Sequence, residues 1–523
     1  MTVKWSHLQQ QLASGCIDRR AFLRGASALG ASSVLAGKAL AQTPKRGGHL
    51  VIAMSSASTN DSLDPTLIRS NYILSLGGQI YDQLAIIDEH VQPRPALAES
   101  WDAKPGGQEW VLKLRKGVQF HNGKEMTAAD VVYSIDRHRA KESRSAVKVF
   151  VSSMSETTAT DKYEVTIKLD GPNVDLPYIL TLAQLVVIPE GTSKDGIGTG
   201  AFKLESFEPG VRSIVKRQQN DWNPSRGYVD SVETVAINDS TARTSAVLSG
   251  AVHLANEISP SSVPSLEKNP ALEVFSIASF GHKSFDTQTD AAPFDNLEVR
   301  QALKYAIDRE SILRIQQHSY GKLGNDHPIS PLDPFYAADI PQRPYDPDKA
   351  KFLLNKAGFS GEITLSVADA AFIGAVDMAQ IFQAGAAKAG INLQVKRVPD
   401  DGYYSKVWNN QGHPFVASFW SGRPTPSLMF THAYSSTSFS NSSHWKNPKF
   451  DQMLLAARAE FDVGKRRQIY HDMQFLLHEE GGALIPMFIN YIDAGQKKVK
   501  GFVPFPVYEM SGLRAAEKVW FED

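Results

Sequence analysis

Tyr404, Trp408, Phe419, Trp420 and Arg423 fall within one short stretch, residues 403–434, and Arg423 stands in a Gly-Arg-Pro turn. Flat aromatic rings can stack on a ligand, and a forked guanidinium held in a rigid turn can pair with a carboxylate or phosphate. That is the chemistry of grip rather than of turnover. The same residue types also fill cores and join surface ion pairs, and the pattern alone leaves both readings open.

Other candidate groups point away from catalysis and metal binding. His121 lies in a tight polar turn, Phe120-His121-Asn122-Gly123, with no His or Cys at ligand spacing, so its expected role is structural. His471 and His478 stand seven apart on one predicted helical face, and two histidines do not complete a zinc site. Gly198-Thr199-Gly200 invites a phosphate-loop reading, yet the residues after it alternate as a strand does and no Walker lysine follows. Neither a Gly-x-Ser-x-Gly elbow nor a His-Glu-x-x-His pair is present, and a secreted hydrolase with dispersed catalytic groups is the rival class. From these residues the expectation is no cofactor, no metal and no enzyme of these motif classes.

The elements that must position these groups read as mixed α and β. Residues 47–53 form a first strand, closed by Ser62-Leu63-Asp64-Pro65; a helical patch follows through Ile73, Leu74, Leu76 and Ile80. Trp110, Leu112 and Leu114 alternate with Val111, Lys113 and Arg115, and Tyr163, Val165, Ile167 and Leu169 alternate with polar residues. Between them Thr127 caps a helix with Asp130 three positions on. An extended run at residues 283–289 and a turn at Ala291-Ala292-Pro293 lead to a helix capped by Asp295 or Asn296, with Val299, Ala302, Leu303, Ala306 and Ile307 on one face. Asp346 and Pro347 open another helix, which Gly358 stops. Strand, helix and strand then follow through Leu365, Phe382 and Leu393, an order that favours a right-handed parallel crossover. After two further helices, residues 483–489 are apolar enough for a buried crossing.

A chain of 523 residues exceeds what one core serves, so two or more domains are expected. Hydrophobic residues make up 42% and charged residues 21%, ordinary for a globular protein. A formal charge of -1 offers no field for nucleic acid, and no run reaches the roughly 20 apolar residues of a membrane span. The N-terminus carries an address: Asp18-Arg19-Arg20-Ala21-Phe22-Leu23-Arg24 precedes a small-residue segment ending in Ala39-Leu40-Ala41, a pattern a signal peptidase accepts. It resembles a twin-arginine export signal, with Asp18 where Ser or Thr is commoner. Residues 1–41 hold five basic residues and one acidic residue, so cleavage would take the charge from -1 to -5 and discard the single cysteine, Cys16. A mature chain of this kind has no disulfide and no lipid-anchor cysteine.

Several motifs together resemble the family 5 solute-binding proteins of bacterial ABC importers, which include dipeptide, oligopeptide, nickel and glutathione receptors. They are the Leu63-Asp64-Pro65 turn, Tyr81-Asp82-Gln83-Leu84, Pro95-Ala96-Leu97-Ala98-Glu99-Ser100-Trp101, the run over residues 114–137, and the Gly-Thr-Gly strand that leads to Asp221-Trp222, with Ala201 in place of the usual proline. The resemblance implies an α/β, two-lobed periplasmic binding protein fold (type II, cluster C-like) with mixed sheets. It places lobe I at residues 43–284, with an extra subdomain at about 80–200, lobe II at 285–490, and a return to lobe I over 491–523. It further implies a periplasmic monomer that captures a small solute and delivers it to an ABC transporter permease; a metal or haem carrier of the same fold is a lesser alternative.

The resemblance also implies that the strand and turn around Trp420 line the ligand cleft, with Tyr404, Trp408 and Trp420 at matching aromatic positions. Tyr72, in the first-lobe loop after Asp64-Pro65, is the candidate for the facing wall. Peptide receptors of the family usually carry an acidic residue in the following turn, whereas here it reads Arg423-Pro424-Thr425-Pro426-Ser427. The expected solute therefore presents an anionic group to Arg423. The ligand-binding set is Tyr72, Tyr404, Trp408, Phe419, Trp420 and Arg423.

Overall fold

The computed structural model describes residues 43–522. The expected export signal, residues 1–41, lies outside them. Eleven strands form one mixed sheet. In chain order they are β1 (His49–Met54), β2 (Phe202–Glu208), β3 (Arg212–Arg217), β4 (Ser231–Ala236), β5 (Leu254–Ala255), β6 (Leu272–Thr287), β7 (Gly321–Leu323), β8 (Glu362–Val367), β9 (Asn392–Arg397), β10 (Phe415–Trp420) and β11 (Ala483–Gln496). Across the sheet the order is β9-β8-β10-β6-β11-β5-β1-β4-β3-β2, with β7 attached to β11. The pairs β1 with β4 and β8 with β9 are parallel, and helix Ala375–Lys388 makes the crossover between the latter two.

Two long antiparallel strands, β6 and β11, run through both halves of this sheet. Their register extends from Leu272 opposite Gln496 to Asp286 opposite Ala483, with irregularities between Ala278 and His282 and between Lys283 and Phe285. β10 pairs with β6 only beyond that first break, from His282 to Thr287, while β5 pairs with the far end of β11, at Ala494 and Gly495. Each strand thus serves one lobe at one end and the other lobe at its other end. At the break, a Cβ on Gly281 would lie 2.9 Å from the Tyr491 hydroxyl, so a side chain is excluded where the strands change allegiance. The extended run expected at residues 283–289 is the end of a much longer strand. Residues 278–284 lack alternation because every one of them is at least partly buried, most of them fully.

Separate apolar cores follow from this division. Leu50, Ile52, Leu76, Phe202 and Val232 pack in the first lobe with Met510, Leu513 and Val519 from the C-terminal segment. Phe285, Leu303, Leu365, Phe382 and Phe415 form the main core of the second lobe, and Phe430, Phe450 and Tyr470 a helical core beside it. A four-stranded antiparallel sheet of Ala98–Ala103, Glu109–Leu114, Glu164–Leu169 and Met154–Asp161 has its own core with helix Ala128–Arg139. That helix begins as expected, with the Thr127 N–H donating to Asp130 Oδ2 at 2.9 Å.

A buried ion network ties the C-terminal segment to the first lobe. Arg226 meets Asp82 at 2.6 Å and Glu517 at 2.8 Å, and Arg514 meets Asp82 at 2.9 Å. Burial opposes ionisation of Asp82, but Arg226 and Arg514 prevail and hold its carboxyl well below the usual carboxylate range. The Gly198-Thr199-Gly200 motif also has its explanation in packing. A Cβ on Gly198 would stand 2.1 Å from the Ile80 carbonyl, and one on Gly200 2.5 Å from that of Gln79, so the glycines let this loop press on the end of helix Asn71–Ile80. His121 is structural: one ring nitrogen bonds the Gly200 carbonyl at 3.0 Å, and burial lowers its pKa.

Candidate functional site

A cleft of about 3140 Å3 is lined by residues from both lobes, with Lys283 of β6 and residues 489–492 of β11, the two strands that join the lobes, as its floor. Five of the six sequence-derived candidates line it: Tyr404, Trp408, Phe419, Trp420 and Arg423. Their placement follows from local structure. Gly402, at φ 75°, starts a single wide helical turn, Tyr403–Val407, that lifts Tyr404 out to 47% exposure. β10 carries Phe419 and Trp420. A Cβ on Gly422 would then lie 2.6 Å from Phe280 Cβ, so the Gly-Arg-Pro turn closes against β6.

The rings form a continuous edge-to-face ladder. Centroid distances are 5.5 Å from Tyr403 to Tyr404, 5.7 Å on to Trp408, 6.1 Å to Trp420 and 5.3 Å to His432. Side-chain hydrogen bonds fix its members: the Tyr404 hydroxyl donates to the Ala371 carbonyl, and the Trp408 indole N–H to the Ser418 hydroxyl, each at 2.9 Å. The two tryptophans also pack on the helical core of the second lobe. They are therefore core and cleft wall at once, which the sequence pattern posed as alternatives.

Among the described residues Arg423 makes no ion pair. One guanidinium nitrogen donates to the Ser421 hydroxyl and the Gly422 carbonyl, both at 2.9 Å, and the other lies 3.0 Å from His432 Nδ1. A guanidinium only donates, so His432 accepts there and is neutral; burial and then the Arg423 charge push its pKa down to about 3. Arg423 is held rigidly and keeps part of its surface in the cleft.

Tyr72 requires a correction. It lies in helix Asn71–Ile80, capped by Ser70, not in a loop, and its ring is fully buried in the first-lobe core. Burial pushes its phenol up to about 12. Its neighbours Asn71 and Leu74 reach the cleft instead. Sequence reasoning also missed several wall residues. Glu257 and Glu509 face the cleft from the first lobe, and Asn71 and Asn256 each donate to Glu509 Oε1 at 2.7 Å. Fully buried Arg243 pins the main chain there through the carbonyls of Asn256 and Glu257, both at 2.8 Å. Behind them Asp493 is buried, and that burial raises its carboxyl to about 7. Lys283 lines the cleft from β6. The available signal was a lysine set close to Phe280, Gly281, Ser284 and Phe285 in an extended run.

His471 and His478 do not face one another: His471 pairs with Asp339 near the surface, and His478 bonds the Asn325 carbonyl. Among the described residues no group of three or more His, Cys, Asp or Glu is arranged to hold a metal ion. Among them, too, no helix is long and apolar enough to cross a membrane.

Residues 92–442, more than half of the chain, match the family described as bacterial extracellular solute-binding proteins, family 5 Middle. The chain belongs to that family. The dipeptide-binding protein of Escherichia coli K12 is 26% identical over 456 residues, which are 79% of this chain and 84% of that protein. The glutathione-binding protein GsiB of Pectobacterium atrosepticum is 25% identical over 476 residues, 87% of this chain and 91% of that one. Among solved structures, Helicobacter pylori DppA in complex with the peptide STSA aligns with a TM-score of 0.82 at 24% identity, covering 92% of this chain and 99% of its own. The binding protein AgaA of A. tumefaciens R10 in complex with agropinic acid gives 0.82 at 23% identity, covering 91% and 99%. These neighbours share the two-lobed fold, and the family's relatives are binding proteins rather than enzymes.

Proposed function

We propose that this family 5 protein is a periplasmic receptor that captures a peptide or an amino-acid or sugar conjugate between its lobes and delivers it to an ABC transporter permease. The observation that carries this reading is the aromatic ladder with Arg423 at its end, on the wall of a cleft that both lobes line. Rings stack on the body of a solute, and the fixed guanidinium pairs with an anionic group. Contacts from both lobes are complete only when the cleft closes, so the solute shifts the population toward the closed form that a permease reads.

A thermal-shift screen of small peptides, opines and sugar or amino-acid conjugates, with mass spectrometry of whatever copurifies, tests the reading. One class of compound should raise the melting temperature and be recovered unchanged. Conversion of the bound compound by the pure protein would replace the receptor with the secreted hydrolase.

A further inference from the structure

The cleft floor holds a charge that the proposed grip has not used. Lys283 lies on β6, opposite Phe419 of β10 and Met487 of β11, and is 5% exposed. Its ammonium reaches three acceptors, all neutral: Gln317 Oε1 at 3.0 Å, the Ile373 carbonyl at 3.2 Å and Gln316 Oε1 at 3.3 Å. It stands 4.8 Å over the Phe372 ring. Among the described residues no carboxylate is within ion-pair distance. The acidic groups whose fields reach it are Glu257, on the first-lobe wall, and Asp369, in the loop that carries Phe372.

Lys304 provides an internal comparison. It is fully buried, but its ammonium caps the end of helix Val463–Glu480 through the carbonyls of Leu477 and His478, and the field of the Asp326 carboxylate favours its charge. Its charge has a structural use away from the cleft. Among the described residues Lys283 caps no helix end and pairs with no carboxylate, and it borders the cleft. Burying an ammonium without a counter-charge is costly unless something neutralises it.

We propose that Lys283 is the floor anchor for a carboxylate of the bound solute, the group that makes the cleft select acids over their esters. The assignment rests on the receptor reading above and extends it, since Arg423 is already braced by its own turn and His432. A solute carboxylate takes the place of the long Gln316 contact and gives the ammonium its missing partner. Burial lowers the pKa of Lys283 to about 7, so the empty cleft at neutral pH holds it partly deprotonated and solute binding draws a proton onto it.

The test uses glutathione, Met-Leu and Ser-Thr-Ser-Ala, each with its carboxylates free and methyl-esterified. They are titrated calorimetrically into the wild-type protein and into Lys283→Met and Lys304→Met variants. Any acid that binds the wild type should weaken by about tenfold or more on esterification and by a similar factor in Lys283→Met, in which the gap between acid and ester should narrow by about that factor, leaving only what Arg423 contributes. Lys304→Met should lose thermal stability yet keep the preference for acids. Repeating the wild-type titration in buffers of different ionisation heat should show proton uptake at pH 7 that vanishes at pH 5; should Lys283→Met fail to fold, this measurement decides. Equal binding of acid and ester, a preference undiminished in Lys283→Met, or no proton uptake would overturn the anchor. Binding of none of the compounds would overturn the solute class and the anchor with it, a result distinct from binding without discrimination.

Discussion

Arg423 donates to Nδ1 of His432 across 3.0 Å, so the one cation of the Gly-Arg-Pro turn is aimed by a neutral imidazole on the helix that follows. Two residues nine positions apart thus behave as one unit. Arg423→Ala should weaken solute binding by at least ~1.5 kcal/mol, the lower end for a charged hydrogen bond. His432→Ala should produce a smaller loss, because the fork remains and only its aim is relaxed. Calorimetry on both variants measures this, and an unchanged dissociation constant for Arg423→Ala would remove the residue from the site.

Trp408 is the rung that touches both Tyr404 and Trp420. Trp408→Ala should cost about 2 kcal/mol of binding, the scale of an aromatic anchor, whereas Trp408→Phe should retain most of the affinity. Bound solute should also shift tryptophan fluorescence in the wild type. An alanine variant with lower stability but wild-type affinity would leave Trp408 a core residue only.

Asp82 shares two guanidinium groups, those of Arg226 and Arg514, with Glu517. Asp82→Asn should destabilise the protein by about 2 kcal/mol in urea denaturation, the scale of the charged hydrogen bonds it loses, since Glu517 still pairs with both guanidinium groups. Because the folded pKa of Asp82 lies below its unfolded value of about 3.9, its contribution is full above that pH and disappears as the medium becomes more acidic. Wild type and Asp82→Asn should therefore converge in stability in strong acid. A constant gap down to pH 2 would contradict the assignment.

Asp493 has the opposite sign. Burial raises its folded pKa to about 7 against an unfolded value of about 3.9. The native state holds the proton that the unfolded chain releases, so stability from this group is full below about pH 4 and falls as pH rises to about 7. Asp333 is raised to about 7 as well, so the contribution of Asp493 must be read as a difference between proteins. Asp493→Asn should raise the melting temperature at pH 8 relative to wild type and change little at pH 4. No gain at pH 8 would mean that the carboxylate is accommodated in its ionised form.

Local signals carried much of the fold. Asp346 accepts from the Lys349 N–H, Pro347 begins the helix and Gly358 ends it at φ 65°, each for the reason its residue type suggests. Strand Glu164–Leu169 alternates in burial as it does in sequence. The long strands were hidden because a strand covered on both faces loses its period of two. Tyr72 was misplaced because the helix begins just after Ser70, which turns the ring into the core. Glu257 and Glu509 could not be found locally: 252 positions separate them, and only the sheet order brings them to one wall.

The position of β11 has a consequence for how the protein is made. In the sheet it stands between β6 and β5, and it is the last of the eleven strands to be synthesised. A ribosome that has released some 480 residues carries two half-sheets with no seam between them, each exposing an unpaired edge. The final strand slots into the middle rather than onto a border, so assembly awaits the end of translation and joins residues very far apart in the chain, which is the kinetically slow kind of contact.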